Sequence, residues 1–337
     1  MLQFMVPVLH TMLQIFTFLV IGFVLRRYNW FSKDFFTSLG RFVVRLALPM
    51  YFFVRMSQAD VIALQRAVRF PLLAIGLSAI AVTFGWMVFA RLPFSRQDRK
   101  AGIAMSGFGN ASYLPLSVAE LMPLSMPIVA ELFDTELALF YVGAYVFLFS
   151  PLLWSFGMVF ISGQSPRKLV HGLISPPMIG IATGLVASLT GVGALLTDSG
   201  TIVSAIFPAL ERIGSITIPI ILIVLGSMAG DLHIHGENWK SLLGMSCAVS
   251  VVRLVAMPAL FFLFAPWFGN PASWSPTELW VIFLQFTTPP ATNLSVMAAH
   301  HDINREHTTF TLLFTYLLYL LVFPLFLMLF LYRFQFL

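Results

Sequence analysis

Long apolar stretches alternate with short polar joints along the whole chain, and ten of the stretches reach the roughly 17 to 25 residues needed to cross a hydrocarbon core. They are Met5 to Leu25, Phe35 to Val54, Phe70 to Ala90, Ala101 to Ala119, Leu137 to Ile161, Leu173 to Leu196, Ile213 to Gly230, Ser241 to Phe264, Leu279 to Ala299 and Thr308 to Tyr332. The joints between them are too short to hold a soluble domain. The first stretch has neither a basic leader nor a small-residue cleavage site, so it reads as a true span. This pattern predicts an all-α polytopic membrane protein with ten transmembrane helices.

Two of the ten stretches are interrupted. The fourth contains SGFGNASYLPLSV around Asn110, and the ninth contains QFTTPPATNLSVM around Asn293. Pro289 and Pro290 remove two backbone donors and clash with the preceding turn, while Gly107, Gly109 and Pro115 weaken the fourth stretch on both sides of Asn110. Backbone freed from a helix at membrane depth survives only where protein buries it or where it lines a cavity, and such breaks in corresponding halves of a chain mark transport sites. Half-helices meeting there aim N-terminal amides inward, an arrangement suited to a carboxylate or another anion. Asn110 and Asn293 add amide donors, and Ser112, Tyr113, Thr287, Thr288 and Thr292 lie close enough in sequence to line the same cavity. The alternative role for each asparagine is to cap a half-helix or to bond across helices.

The chain also divides into two related halves, 1–162 and 163–337. Pro7 pairs with Pro177, Pro49 with Pro219, Pro151 with Pro324, and the LSV after Tyr113 with the LSV after Asn293, at offsets of 170, 170, 173 and 178 residues. Five spans per half is an odd number, so the second half enters the membrane inverted, with broken helices four and nine crossing at its midplane. Basic residues set the orientation. Eleven Lys and Arg lie in the joints after odd-numbered spans and five on the other side, which makes the odd joints cytoplasmic and puts both termini on the non-cytoplasmic face.

Composition agrees with this architecture and narrows its chemistry. Hydrophobic residues make up 59% of the chain, charged residues 10%, and mean hydropathy is +0.90. The single cysteine, Cys247, excludes a disulfide framework, and the basic residues form no stripe that could follow nucleic acid. All fourteen Asp and Glu fall outside the ten spans, with Glu120 at the edge of the fourth, so an anion is the better cargo. By contrast Arg45 and Arg253 lie mid-span, at an insertion cost of about 2.5 to 3.5 kcal/mol each. They are candidate anion-attracting groups, with structural pairing to helix-end carbonyls as the alternative; Arg41, one turn from Arg45, reads as reaching to the interface. The histidine pairs His233 with His235 and His300 with His301 lack a metal-ligand spacing, and no phosphate-binding loop is present. Neither a metal, nor a cofactor, nor ATP is therefore expected.

The segments Asn110 to Leu114, LALP of Leu46 to Pro49, SPPMIGIATGL of Ser175 to Leu185, and PPATNLSVMA of Pro289 to Ala298 with a closing Pro324-Leu325 together resemble the auxin efflux carrier family. That family includes plant PIN-type carriers and bacterial permeases for malate or malonate. The resemblance runs along the whole chain and implies a two-repeat carrier with a scaffold bundle, a transport bundle and an X-shaped crossover, commonly a homodimer. Family crossover asparagines map onto Asn110 and Asn293. Pro115-Leu116-Ser117 stands where members usually have Gly-x-Pro, and Arg45 where they often have Asn. Only Ser162 to Gly172 joins the halves, which points to a compact inner-membrane permease without the long hydrophilic loop of plant members. The sequence thus predicts a secondary transporter of a small organic anion, such as a dicarboxylate or auxin-like acid, and no enzyme. A sodium-coupled carrier of bile-acid type is the runner-up. A membrane sensor or enzyme on the same fold would need a catalytic constellation or signalling domain that the sequence does not offer.

Overall fold

A computed structural model describes residues 2–162, 174–197, 202–231, 239–268, 274–300 and 305–334. His171, His233, His235 and His301, and most of the joint from Ser162 to Gly172, lie outside the described residues.

The first half runs through α1 (Leu2–Arg27), α2 (Lys33–Phe42), α3 (Leu48–Ser57), α4 (Val61–Ala67), α5 (Arg69–Phe89), α6 (Arg96–Gly107), α7 (Tyr113–Ser125), α8 (Pro127–Leu132), α9 (Thr135–Leu152) and α10 (Met158–Ser162). The second half follows with α11 (Pro176–Leu189), α12 (Val192–Thr197), α13 (Ile206–Ser215), α14 (Thr217–Gly230), α15 (Trp239–Ser250), α16 (Met257–Phe268), α17 (Pro276–Thr287), α18 (Thr292–His300) and α19 (Arg305–Arg333). Among the described residues, seven continuous helical stretches are long and apolar enough to cross a membrane. The other three predicted spans correspond to the shorter apolar α11 and to the broken pairs α6/α7 and α17/α18. Leu13, Leu72, Leu263, Leu321 and Leu325 stand exposed on the outside, a surface that only lipid tails solvate well.

Among the described residues three spans contain a π-helical turn, and prolines account for two of them. Val43–Ala47 links α2 to α3 and precedes Pro49; Val251–Ala256 links α15 to α16 and precedes Pro258. Each proline lacks the N–H that the carbonyl four residues earlier would accept from, so that carbonyl lies inside the widened turn. Leu153–Gly157, between α9 and α10, is the third. Both mid-span arginines occupy such turns, Arg45 in the first and Arg253 in the second.

Helices from the two halves interleave. Packing pairs α1 with α14 and α3 with α11 and α13, forming one bundle, while α5, α6, α9, α15 and α19 associate around the breaks. Glycine permits the closest of these contacts. A Cβ on Gly22 would strike the Ile223 carbonyl, and one on Gly226 would strike the Leu19 carbonyl, so α1 and α14 meet backbone to backbone. Gly180 on α11 approaches Pro49 of α3 in the same way. Two polar links then tie α3 to the other bundle. The Tyr51 hydroxyl donates to Glu120 Oε2 at 3.0 Å, and Arg55 pairs with Glu136.

One carboxylate at the edge of a span is buried. Glu278, just outside the predicted ninth span, is fully buried at the start of α17. Capping accounts for one of its oxygens: Oε2 accepts from Ser275 N at 2.7 Å and from Arg66 Nη1 at 3.2 Å while Ser275 Oγ accepts from Glu278 N at 3.3 Å, and Oε1 is left without a partner among the described residues.

Candidate functional site

Helices α6 and α17 both stop in mid-bundle, and the extended segments that follow them cross. Gly109 and Pro290 form an antiparallel bridge, the only one among the described residues. Asn110 N donates to Pro289 O at 2.8 Å and Ala291 N donates to Phe108 O at 2.9 Å, so each segment satisfies backbone groups the other has freed. Gln285 Nε2 adds a bond to Ala111 O at 3.0 Å. Pro289 and Pro290 lie in the break as expected, since neither can donate and both restrict the residue before them. Pro115 does not. It is the third residue of α7, where the missing N–H costs nothing because first-turn amides have no intrahelical acceptor. The fourth span breaks upstream, from Phe108 to Ser112, after Gly107.

Asn110 is 2% exposed and both ends of its amide are engaged. Its Oδ1 accepts from Tyr113 N at 2.9 Å, capping α7, and its Nδ2 donates to the Tyr316 hydroxyl of α19. The side chain of Asn293 lies close to that of Tyr113. This geometry matches the cap-and-bridge role weighed for the asparagines, with the Tyr113 amide already taken. Ser112 is half-buried and its carbonyl accepts from Leu116 N at 2.9 Å. Thr287 bonds back to Phe283 O at 3.0 Å, and Thr292 is buried at the start of α18. Asn110→Ala removes a cap, about 0.5 to 2 kcal/mol, and strands the buried Tyr316 hydroxyl, about 1 to 3 kcal/mol. A drop in melting temperature of several degrees is the expected result, and Asn110→Asp should restore part of it by keeping the acceptor at Tyr113 N.

The crossover also holds a charge. Arg253 is 3% exposed, and its Nε donates to Thr288 O at 2.9 Å while its Nη2 donates to Thr288 Oγ1 at 2.5 Å. Gly109 lies directly against the guanidinium. Among the described residues no carboxylate pairs with it, and the hydroxyls of Tyr145 and Tyr316 lie in its neighbourhood. A cavity of about 10 Å³, room for about one water, lies beside it, lined by Ser78, Gln285, Tyr145 and Thr288 among others. Two of its polar atoms, Ser78 Oγ and Gln285 Oε1, have no hydrogen-bond partner. The structure therefore brings Arg253 and Thr288 into direct contact, and groups Asn110 with Tyr113 and Tyr316. Arg45 joins neither group; it stands exposed on the outer face of its π turn. Tyr316, Gln285, Tyr145 and Ser78 were not singled out from the sequence. The signal for Gln285 was available, a lone amide between Leu284 and Phe286 in the ninth span.

With this geometry in hand, comparison with known proteins is decisive. The sequence model of the membrane transport protein family matches residues 7–165 and 158–327. The chain belongs to that family. It is 28% identical over 155 residues to Protein PIN-LIKES 7 of Arabidopsis thaliana, covering 45% of this chain and 38% of that protein. Protein PIN-LIKES 5 of the same plant is 26% identical over 174 residues, 50% of this chain and 41% of the relative. The matches thus span about two fifths of the length of each plant protein. An uncharacterized transporter of Methanothermobacter thermautotrophicus is 20% identical over 322 residues, 94% of this chain and 96% of its own length. The auxin efflux carrier resemblance read from Asn110 to Leu114 and from Pro289 to Ala298 is borne out. This member of the membrane transport protein family is a multi-pass membrane protein with a bilayer as its solvent.

Proposed function

We propose that the protein is a secondary transporter of a small organic anion, a carboxylate, which binds at the crossover of α6/α7 with α17/α18. One observation carries the anion: Arg253 is a buried cation with no carboxylate partner among the described residues. A buried charge without a counter-ion is costly, and a cargo that brings the opposite charge offsets that cost. Unpartnered Ser78 Oγ and Gln285 Oε1 beside it add neutral groups that could orient a carboxylic acid or its hydroxyls. Arg45, exposed in its π turn, has no part in this binding reading.

The rest of the reading follows from the inverted-repeat plan. Halves 1–162 and 163–337 move as bundles rather than as halves, because α1 with α14, and α3 with α11, pack across the two. Alternating access then requires the Tyr51–Glu120 and Arg55–Glu136 links to open each cycle, since they join the bundles. The excess of basic residues after odd spans supports termini on the non-cytoplasmic side of an inner membrane, and family likeness supports a homodimer.

Proteoliposomes loaded with dicarboxylates, indole acids or amino acids test the proposal. Uptake of at least one carboxylate down or against a gradient is expected, together with a rise in melting temperature when that compound is added to detergent-solubilised protein. No flux and no thermal shift with any organic anion would remove the reading.

A further inference from the structure

Helix α17 ends at Thr287, and the turn beyond it points its oxygen atoms at one spot. Thr288 O and Thr288 Oγ1 face the same guanidinium, and the hydroxyl itself donates to Gln285 O at 3.2 Å. A helix C-terminus carries partial negative charge and unsatisfied carbonyls. In carriers built on discontinuous helices, unwound carbonyls and half-helix C-terminal ends are the groups that coordinate a coupling Na⁺ or proton. Here that position is already filled. Arg253 enters from the π turn between α15 and α16, and its head fits because Gly109 has no side chain. The adjoining cavity has room for about one water, and Arg253 is the sole charged residue in its lining.

We infer that Arg253 is a tethered cation that occupies the coupling-ion position at the end of α17. The guanidinium supplies permanently the charge that a soluble ion would bring and take away in each cycle. Transport therefore runs without sodium, and deleting the side chain creates a vacancy that a small free cation can enter. This deepens the organic-anion reading, on which its flux measurement rests; its stability measurement does not.

Purified wild-type protein, Arg253→Ala and Arg253→Lys are melted in choline chloride, sodium chloride and choline chloride with millimolar guanidinium, far below denaturing concentrations. Wild type should melt at one temperature in all three. Arg253→Ala should melt several degrees lower in choline and recover part of the loss with guanidinium or sodium, while Arg253→Lys should be indifferent to both. In proteoliposomes, wild-type and Arg253→Lys uptake should be equal in sodium and choline, whereas Arg253→Ala uptake should fall about tenfold in choline and rise when either cation is supplied. Sodium-dependent uptake by wild type overturns the inference. So does an Arg253→Ala protein that melts like wild type or responds to neither cation, or an Arg253→Lys protein that needs sodium. Should Arg253→Ala fail to fold, the sodium independence of wild type and Arg253→Lys still decides the matter. If no organic anion moves at all, the transport reading fails alone, and the melting series still tests the tethered cation.

Discussion

Gly109→Ala should slow transport about a hundredfold while leaving the membrane insertion of the chain intact. An added Cβ would land on Arg253 Nη2 and Thr288 Oγ1 and lie 2.7 Å from Arg253 Cζ. These are side-chain atoms, but two hydrogen bonds hold the guanidinium on Thr288, so making room breaks that contact. Either the crossover separates or Arg253 leaves its seat. Overpacking of this kind costs about 1 to 3 kcal/mol, and a displacement near 1 Å at a working site costs about a hundredfold in rate. Melting temperature and uptake measured on the same preparation will show both effects. Gly76→Ala is the control, since a Cβ there meets nothing within 4 Å and helix propensity alone favours it by about 0.5 to 1 kcal/mol. Normal uptake by Gly109→Ala would mean that the contact between the crossover and Arg253 plays no part in the cycle.

An even larger structural loss is expected at Gly226. There a Cβ would strike the Leu19 carbonyl oxygen and stand 2.6 Å from its carbon, so nothing short of separating α14 from α1 makes room. Gly226→Ala should cost more than about 3 kcal/mol, and Gly226→Val should yield no monodisperse protein after detergent extraction. Gly22→Ala, which meets the Ile223 carbonyl on the same interface, should behave alike. Because the two substitutions open one interface, the double variant should be less destabilised than the sum of the singles. Size-exclusion profiles and melting curves of the three variants provide the check, and additive losses would argue for two independent contacts.

Much of the architecture was legible because the membrane leaves few solutions. Spans had to be apolar and about twenty residues long, and Pro289-Pro290 had to interrupt the one that contains them. What the sequence could not disclose was direction around a helix axis. Arg45 and Arg253 look alike as lone cations in apolar runs, and both lie in π turns, yet one faces outward and the other reaches the crossover. The rotation that separates them is set by packing with distant helices. Asn110 offers a second example. That it would cap α7 was readable from its place three residues before Tyr113 N, but its bond to Tyr316 spans 206 residues. Pro115 misled for a different reason. Proline breaks a helix only from the interior, and whether position 115 was interior depended on where α7 began, a boundary set by Gly107 and by the bridge to Pro290. Glu278 escaped notice because its capping partner Ser275 and its charge partner Arg66 engage one carboxylate oxygen, Oε2, and only the second of these lies far away in sequence.

The backbone-tight seam between α1 and α14 also bears on how the chain is made. Arg26 of α1 reaches Asp231, just past α14, across 205 residues of sequence, at 2.6 Å. At about 5 to 20 residues per second, a ribosome takes roughly 10 to 40 seconds to deliver the partner that the grooved face of α1 requires. Throughout that interval Gly22 faces lipid or the insertion machinery, and α3 waits likewise for the Gly180 face of α11. The first half therefore enters the bilayer as an unfinished set of helices whose native neighbours have yet to be translated. Its assembly is completed from the C-terminal side, late in biogenesis.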